Sequence, residues 1–150
     1  MKIPLVPPVG HLIAYEYLWY SKAGNRDDGE KTYPVAVILA RHDIGPTPVA
    51  YVLAVSHSAP RPHRRALEVP RKLKNHLGLD ADPSWIYTDE MNIFAWPGPD
   101  LRPADRLSNL PAARNTCVIG PLPSDWFATV TKHLAESRRL GRVTTIKRSI

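Results

Sequence analysis

The sequence predicts a mainly β protein that forms a small barrel with helical decoration. Five or six strand-like runs, rich in aromatic and β-branched residues, stand against one short and one long helical pattern. The chain has 16 prolines against eight glycines in 150 residues. Because proline is excluded from helix interiors and central strands, this composition favours short elements joined by stiff connections. The length indicates a single domain, 1–150, with 43% hydrophobic residues to form a core.

The first strand is predicted over residues 10–20, GHLIAYEYLWY. Successive side chains of an extended chain point to opposite faces, so alternate residues share a face. One face of the strand 10–20 carries Ile13, Tyr15, Tyr17 and Trp19.

The segment 21–32 that follows combines glycines with charged residues and is predicted to be an exposed loop.

The next two strands are predicted to pair with each other. Residues 34–40, PVAVILA, form a nearly continuous apolar run, which suggests a strand covered on both sides. Residues 42–48 contain Gly45, Pro46 and Pro48, which turn the chain back. The partner strand is predicted over 49–58.

A short helix is predicted over 70–77. Pro70 suits the first helical position, and Gly78 suits a left-handed stop directly after the last turn. The basic residues Arg71, Lys72 and Lys74 are predicted to face outward.

The long helix is predicted over 124–140. Ser124 is the predicted cap, and Asp125 complements the positive end of the helix. Gly141 is predicted to end it. The apolar stripe of this helix consists of Phe127, Val130 and Leu134.

The stretch 84–103, SWIYTDEMNIFAWPGPDLRP, contains two strand-like runs. The runs 84–88 and 91–96 are separated only by Asp89 and Glu90, which indicate a bend, and residues 97–100 form a turn. Residues 101–114 carry two prolines and no periodic pattern, so they are predicted to wrap the surface. The run 115–119 is strand-like, and its Cys117 is predicted to be a buried hydrophobic residue.

The chain carries a formal net charge of +6, so its surface attracts polyanions, of which nucleic acid is the commonest. A basic surface without a binding role is the alternative. A single cysteine fits a reducing compartment. The N-terminal residues MKIPLVPPVG do not form a signal peptide, and no apolar run has the length of a membrane span, so we expect a cytoplasmic protein with no membrane association.

The order of these features resembles the PemK/MazF family, the toxins of bacterial toxin-antitoxin pairs. The resemblance covers roughly residues 10–140. It rests on Gly10 before the first strand, the glycine-containing loop before Tyr33 and Pro34, the strand end at Ser56, and TDEMNIFAW before the Pro-Gly turn. The family fold implies a small SH3-like barrel with a C-terminal helix.

The resemblance also implies a function. Members of this family are metal-independent endoribonucleases that cut single-stranded RNA as homodimers and are silenced by an antitoxin protein. Such cleavage needs a base for the ribose 2′-hydroxyl, a cation at the phosphate and an acid for the leaving oxygen. No cofactor is implied. His57 and His63 lack further ligands at suitable spacing, so we predict no metal site.

Carried over residue by residue, the resemblance places the family's small hydroxyl residue at Ser56 and its catalytic aspartate at Asp89. The aspartate match is supported by its spacing to Trp96. The arginine that normally precedes the proline of the second strand falls on Tyr33, which can donate a hydrogen bond or stack on a base but carries no positive charge. The nearby His57 is a further candidate acid or base.

The missing positive charge must come from other residues. Lys31 and Arg41 are the candidates for that charge at the phosphate, with His57 as a third. The basic elements RPHRR and RKLK are candidates for a phosphate track, with a solvated basic face as the alternative. The predicted RNA-binding residues are Lys31, Tyr33, Arg41, Arg61, Arg64, Arg65 and Lys72.

Two alternatives to a nuclease remain open. The same barrel without catalytic activity would bind RNA or an antitoxin-like peptide, and Tyr33 favours this alternative. A related toxin fold poisons a topoisomerase by binding it, and the basic loops argue only mildly against that role.

Overall fold

The computed structural model describes residues 1–23 and 31–148. Most of the predicted loop 21–32 lies outside the described residues. Within the described ranges the chain forms eight strands and two α-helices. The strands are β1 (His11–Tyr15), β2 (Tyr33–Arg41), β3 (Val49–Ser56), β4 (Ala66–Glu68), β5 (Trp85–Tyr87), β6 (Glu90–Ala95), β7 (Val118–Pro121) and β8 (Thr144–Lys147), and the helices are α1 (Arg71–His76) and α2 (Ser124–Arg139).

The strands form one sheet in the order β4-β5-β3-β2-β1-β7, with every neighbouring pair antiparallel. The long strand β3 divides its second edge between two partners. Val49–Val52 pairs with β6, and Val55 and Ser56 pair with β5. Strand β8 then adds to β6 in the parallel direction. The predicted mainly β class with a short and a C-terminal helix is confirmed, although no pairing within 1–23 and 31–148 closes the sheet into a barrel.

Buried side chains form a separate cluster on each face of the sheet. The predicted alternation of the first strand is confirmed, because Leu12 joins one cluster and Ile13 and Tyr15 join the other. The rings of Tyr15 and Phe94 stack with centroids 4.4 Å apart in the second cluster. The helices cover the first cluster with Leu73, Leu77, Val130 and Leu134.

Several local expectations differ from the structure. Lys74 is 4% exposed rather than outward-facing, because Asp80 and Ser84 solvate its ammonium within the fold. Ser124 begins α2 but makes no capping hydrogen bond, and Pro123 occupies the cap position. Left-handed glycines follow both helices as predicted, Gly78 at φ 70° and Gly141 at φ 69°.

Segment 101–114 does more than wrap the surface. It contains two short 3-10 turns, Ala104–Arg106 and Pro111–Ala113. Leu101, Ala104 and Ala113 are buried there, so the segment contributes to both hydrophobic clusters. Cys117 is buried as predicted. In the described ranges, no helix combines the length and the apolar character that crossing a membrane requires.

Arg148 fixes the chain end after β8. Its side chain is 3% exposed and forms an ion pair of 2.9 Å with Asp100. The same guanidinium donates to Oδ1 of Asn92 at 3.1 Å and to the carbonyl of Glu16 at 3.0 Å. Four segments that are distant in sequence therefore share one buried charge.

We expect Arg148→Ala to lower the free energy of unfolding by about 3–5 kcal/mol, because it leaves the largely buried carboxylate of Asp100 without its cation. Urea denaturation measures this change. The neighbouring exposed Lys147 provides the control, since Lys147→Ala is expected to stay within about 0.5 kcal/mol of the wild type. Equal stability of the two variants would contradict the role given to Arg148.

Candidate functional site

A cleft of about 460 Å³ opens where β3 and β5 end and β2 begins. We call it the central cleft. It combines aromatic rings, hydroxyl groups and basic side chains, which is the composition of a surface for single-stranded nucleic acid. Its lining consists of Trp19, Ser21, Tyr33, Ser56, Ser58, Ala59, Arg61, His63, Arg64 and Tyr87.

The aromatic wall of the central cleft is centred on Trp19. Its ring meets Tyr33 at 5.5 Å and Tyr87 at 5.4 Å between centroids, both edge to face. Trp19 also contacts the buried Tyr17 at 4.8 Å. Tyr15 and Tyr17 lie on the face of the chain that packs in the core. Trp19 continues this face into the cleft, where it is only partly buried. Rings held against each other in this way keep their orientation without a ligand.

Arg64 is the cation that the fold holds at this wall. Its Nε and Nη2 donate to the two carboxylate oxygens of Asp89 at 2.7 and 2.9 Å, and Nη2 also donates to Glu90 at 3.0 Å. The guanidinium carbon lies 4.7 Å from the centroid of the Tyr87 ring. The hydrogen bonds with Asp89 raise the pKa of the Arg64 guanidinium above its usual value. A planar fork bound in this way is a positive charge in a fixed position.

Both carboxylate oxygens of Asp89 accept hydrogen bonds. Besides Arg64, Asp89 accepts a hydrogen bond of 3.0 Å from the backbone N–H of Arg65. Burial raises the pKa of the Asp89 carboxyl, but the hydrogen bonds from Arg64 and Arg65 outweigh it and hold the pKa below its usual value. The carboxylate therefore positions Arg64, and the role of a base that the family resemblance implies for Asp89 stays a prediction.

Glu90 supports Arg64 from the interior. Burial raises the pKa of its carboxyl above the usual value, against hydrogen bonds from the Tyr20 N–H and the Tyr17 hydroxyl that lower it. These two bonds measure 3.1 and 3.0 Å. The acidic pair at the predicted bend is therefore a binding element for one arginine, and it also ties the chain after β1 to β6.

Strand pairing explains why Arg64 meets Asp89 across 25 residues. Ala66 of β4 lies opposite Tyr87 of β5, and the N–H of Thr88 donates to the carbonyl of Arg65 at 3.0 Å. The basic loop before β4 is thereby placed beside the break between β5 and β6. Strand β4 was not predicted from the sequence, so this neighbourhood was not predicted either.

A second, smaller cavity of about 210 Å³ adjoins the central cleft, and we call it the Lys31 pocket. Tyr33 and Ser56 line both cavities. The ammonium of Lys31 lies 5.0 Å from the centroid of the Tyr33 ring, so a positive charge lies next to this ring. The Oγ of Ser56 accepts the backbone N–H of Ser58 at 3.1 Å.

His57 lines the Lys31 pocket, but both of its ring nitrogens have partners. Nε2 lies 2.9 Å from Oδ2 of Asp80, and Nδ1 lies 3.1 Å from Oγ of Ser84. Asp80 and Asp82 place further oxygens within 4.8 Å of the imidazole, the spacing of a metal site. The ammonium of Lys74 already donates to Asp80 at 2.8 Å and to the carbonyl of Asp82. Because this cation compensates the acidic group, we assign no metal to it.

The remaining predicted residues divide between the cleft and other places. Arg61 lines the central cleft beside Arg64. Arg65 does not, because its Nε donates to Ser137 at 2.7 Å and fastens α2 to the sheet. Lys72 is exposed on α1 and is not among the lining residues of either cavity.

Arg41 lies at the far end of the β2–β3 hairpin from Tyr33. A strand of nine residues spans roughly 26 Å, so Arg41 does not supply charge to the cleft. It forms an exposed ion pair with Asp43 at 2.9 Å instead.

His63 is one of the lining residues for which the sequence predicted no role in the site. It is exposed, and its imidazole makes no hydrogen bond within the part of the chain that the structure describes. The only signal in the sequence was its position inside RPHRR, which indicates a basic loop and no more.

No protein-family model matches the sequence, and no curated protein is significantly similar to it. Membership of the PemK/MazF family therefore stays a prediction from the pattern of residues.

We expect Asp89→Asn to destabilise the chain by roughly 1–3 kcal/mol at neutral pH, because Arg64 loses its charged partner. The pKa of Asp89 is lower in the folded than in the unfolded chain. Its ionised form therefore adds stability above the unfolded pKa, and this contribution is lost as pH falls through the lowered folded value. The difference between variant and wild type should shrink below about pH 4. Urea denaturation over a pH series measures it.

Asp105, which is exposed in a 3-10 turn, provides the matched control for this series. Asp105→Asn is expected to follow the wild type at every pH. The contribution of Glu90 to the free energy of unfolding depends on pH in the opposite way. Its pKa is raised in the folded chain, so this contribution is lost as pH rises through the raised value. The charge of Asp89 is one of the causes of the raised pKa of Glu90, so Asp105→Asn leaves the contribution of Glu90 unchanged and Asp89→Asn reduces it. A penalty for Asp89→Asn that is constant from neutral to acidic pH would contradict the ion pair.

Proposed function

We propose that this chain is a PemK/MazF-like toxin, a metal-independent endoribonuclease that binds and cuts single-stranded RNA in the central cleft. The observation that carries the proposal is the guanidinium of Arg64, held by Asp89 and Glu90 at a cleft walled by aromatic rings. The wider proposal is that the protein acts in the cytoplasm as a homodimer and is silenced by an antitoxin protein.

RNA binding is supported by the pairing of stacking surfaces with positive charge. Bases stack on aromatic rings whatever their sequence, while arginines contact the phosphates between them. Tyr33 and Trp19 offer the rings, and Arg61 and Arg64 offer the charge. The formal net charge of +6 attracts the strand before contact.

The reaction we propose is attack of the ribose 2′-oxygen on the adjacent phosphorus. A P–O bond forms to the 2′-oxygen, the bond to the 5′-oxygen breaks, and the products are a 2′,3′-cyclic phosphate and a 5′-hydroxyl. Arg64 stabilises the negative charge that builds on the phosphate. His63, the exposed imidazole in the cleft, takes the 2′-hydroxyl proton or returns one to the leaving oxygen. Water at the open face of the cleft completes the proton balance.

Purified protein is expected to cut a long single-stranded RNA in the presence of a chelator. Arg64→Ala should lower the cleavage rate on the order of 10²-fold or more, because a fixed transition-state cation is removed. Arg64→Lys keeps the charge without the planar fork and should fall between the two. Gel analysis of the products measures the rates, and thermal unfolding verifies that each variant is folded.

Arg139→Ala is the control, because Arg139 is exposed at the end of α2 and is not among the lining residues of the cleft. Its cleavage rate should equal that of the wild type. DNA of the same sequence should bind but stay intact, because it lacks the 2′-hydroxyl. Equal rates for Arg64→Ala and wild type would contradict the role of Arg64.

A protein that binds RNA or an antitoxin-like peptide without cleavage is the second candidate. It is favoured by the carboxylate of Asp89, whose two oxygens both accept hydrogen bonds from Arg64 and whose Oδ2 also accepts one from the backbone of Arg65, and by Tyr33 in place of an arginine. Salt-dependent RNA binding without cleavage at high protein concentration would establish this candidate. Retention of gyrase from a bacterial lysate with no effect on RNA would favour the topoisomerase-binding role instead.

A further inference from the structure

A third cavity of about 360 Å³ adjoins the central cleft and shares no lining residue with the Lys31 pocket. We call it the outer pocket. Ser21, His63 and Arg64 line both the outer pocket and the central cleft. Tyr20 and Arg142 line the outer pocket and are absent from the lining of the central cleft. We propose that the outer pocket is a further nucleotide subsite, in which Tyr20 stacks on a base and Arg142 binds the adjoining phosphate of the same single-stranded RNA.

Tyr20 presents an aromatic ring from an anchored backbone. Its N–H donates to the buried Glu90 at 3.1 Å, while 62% of the residue is exposed. Every other aromatic side chain among the described residues is buried or partly buried, so the exposed ring of Tyr20 beside an arginine is a surface on which a base can stack. The short 3-10 turn Tyr20–Lys22 carries it directly after the aromatic wall of the central cleft.

Arg142 is directed into the outer pocket by the end of α2. Gly141 adopts φ 69°, and the N–H of Arg142 donates to the carbonyl of Ser137 at 2.8 Å, which closes the helix. One guanidinium nitrogen donates to the carbonyl of His63. A guanidinium has five N–H donors, so this bond orients the group and leaves donors for a phosphate.

The acidic residues of the outer pocket do not repel a phosphate strongly. Asp89 and Glu90 line it, but their side chains are only 9% and 6% exposed and both accept hydrogen bonds from Arg64. The exposed charged groups are therefore Arg142 and the partly exposed Arg64. The outer pocket therefore offers the ring of Tyr20 and the guanidinium of Arg142 beside the residues that it shares with the central cleft.

The three cavities follow one another. Tyr33 and Ser56 join the Lys31 pocket to the central cleft, and His63 and Arg64 join the central cleft to the outer pocket. A single strand that fills all three places successive nucleotides on Tyr33, Trp19 and Tyr20. This inference rests on the proposed function, since it extends the same RNA-binding surface.

Fluorescence anisotropy with labelled 2′-O-methyl RNA, which cannot be cut, tests the inference on the full chain. Tyr20→Ala should weaken binding of an octanucleotide roughly five- to hundredfold, and Tyr20→Phe, which keeps the ring, should retain it. The wild type should gain affinity between a dinucleotide and an octanucleotide, and Tyr20→Ala should lose most of that gain.

Arg142→Ala is expected to lower the slope of log Kd against log salt by about 0.7, the contribution of one phosphate contact on a single strand. Tyr20→Ala should leave that slope unchanged, because stacking involves no counterion release. Arg139→Ala serves as the matched arginine control and should change neither affinity nor slope. Tyr20→Ala does not touch the Arg142 to His63 bond, so the two variants report independently even if Arg142→Ala shifts the basic loop.

Trp19→Ala separates failure of this inference from failure of the proposed function. If Trp19→Ala weakens binding while Tyr20→Ala and Arg142→Ala match the wild type, the outer pocket is not a subsite and the central cleft stands. If all three variants bind as the wild type does, both proposals are overturned. Weaker binding by Tyr20→Ala together with a lower salt slope for Arg142→Ala supports the inference.

Discussion

The bond between Arg64 and the acidic pair at the end of β5 is the constraint on which the site depends. Two adjacent carboxylates that are mostly removed from water repel each other unless a cation lies between them. Arg64 provides that cation and contacts Asp89 and Glu90 together. Glu90 in turn binds the chain after β1 through Tyr17 and Tyr20. One arginine thus joins three segments, and each of them contributes residues to the border of the cleft.

The same contact explains why a basic loop without secondary structure has a defined position. Residues 61–65 directly follow Pro60 and contain Pro62, and they form no strand. Arg64 and the backbone of Arg65 fasten the loop to Asp89. Arg61 and His63 then face the cleft, where a mobile loop would have presented them only part of the time. Preorganised charge is worth more to a reaction than mobile charge, because no reorganisation is needed at the transition state.

The net positive charge of this chain is not a measure of its binding surface. Lys74, Arg65 and Arg148 are basic residues whose charges are used inside the fold, where each binds oxygen atoms of other segments. Arg41 is exposed but lies on the far side of the hairpin with its own partner. The charges that face the central cleft are a minority, and their value comes from the rings beside them.

The periodic patterns of the sequence were sufficient to predict most strands and both helices, because each depends on neighbours in the chain. Alternation placed Tyr15 and Leu12 on opposite faces, and Gly78 and Gly141 marked the ends of the helices. Cys117 was correctly predicted to be buried. The observed strand boundaries differ from the predicted ones by a few residues, because a strand ends where its hydrogen bonds to the neighbouring strand end.

Strands β4 and β8 were missed because three or four residues carry too little pattern to identify a strand. Their existence depends on partners, β5 and β6, that are distant in sequence. The residues of the site likewise depend on partners that are distant in sequence. The sequence singled out Asp89, Arg64 and Tyr33, but their roles depended on which groups lie across the sheet.

By itself, then, the sequence determined which residues alternate, where helices stop and that the surface is basic. Only the tertiary structure decided that Asp89 positions Arg64, that Lys74 is buried and that Arg41 lies far from the cleft. The reason is physical: periodicity reports the face on which a side chain lies, whereas a carboxylate's role is decided by the charge opposite it. That charge is brought there by strand pairing between residues far apart in the chain.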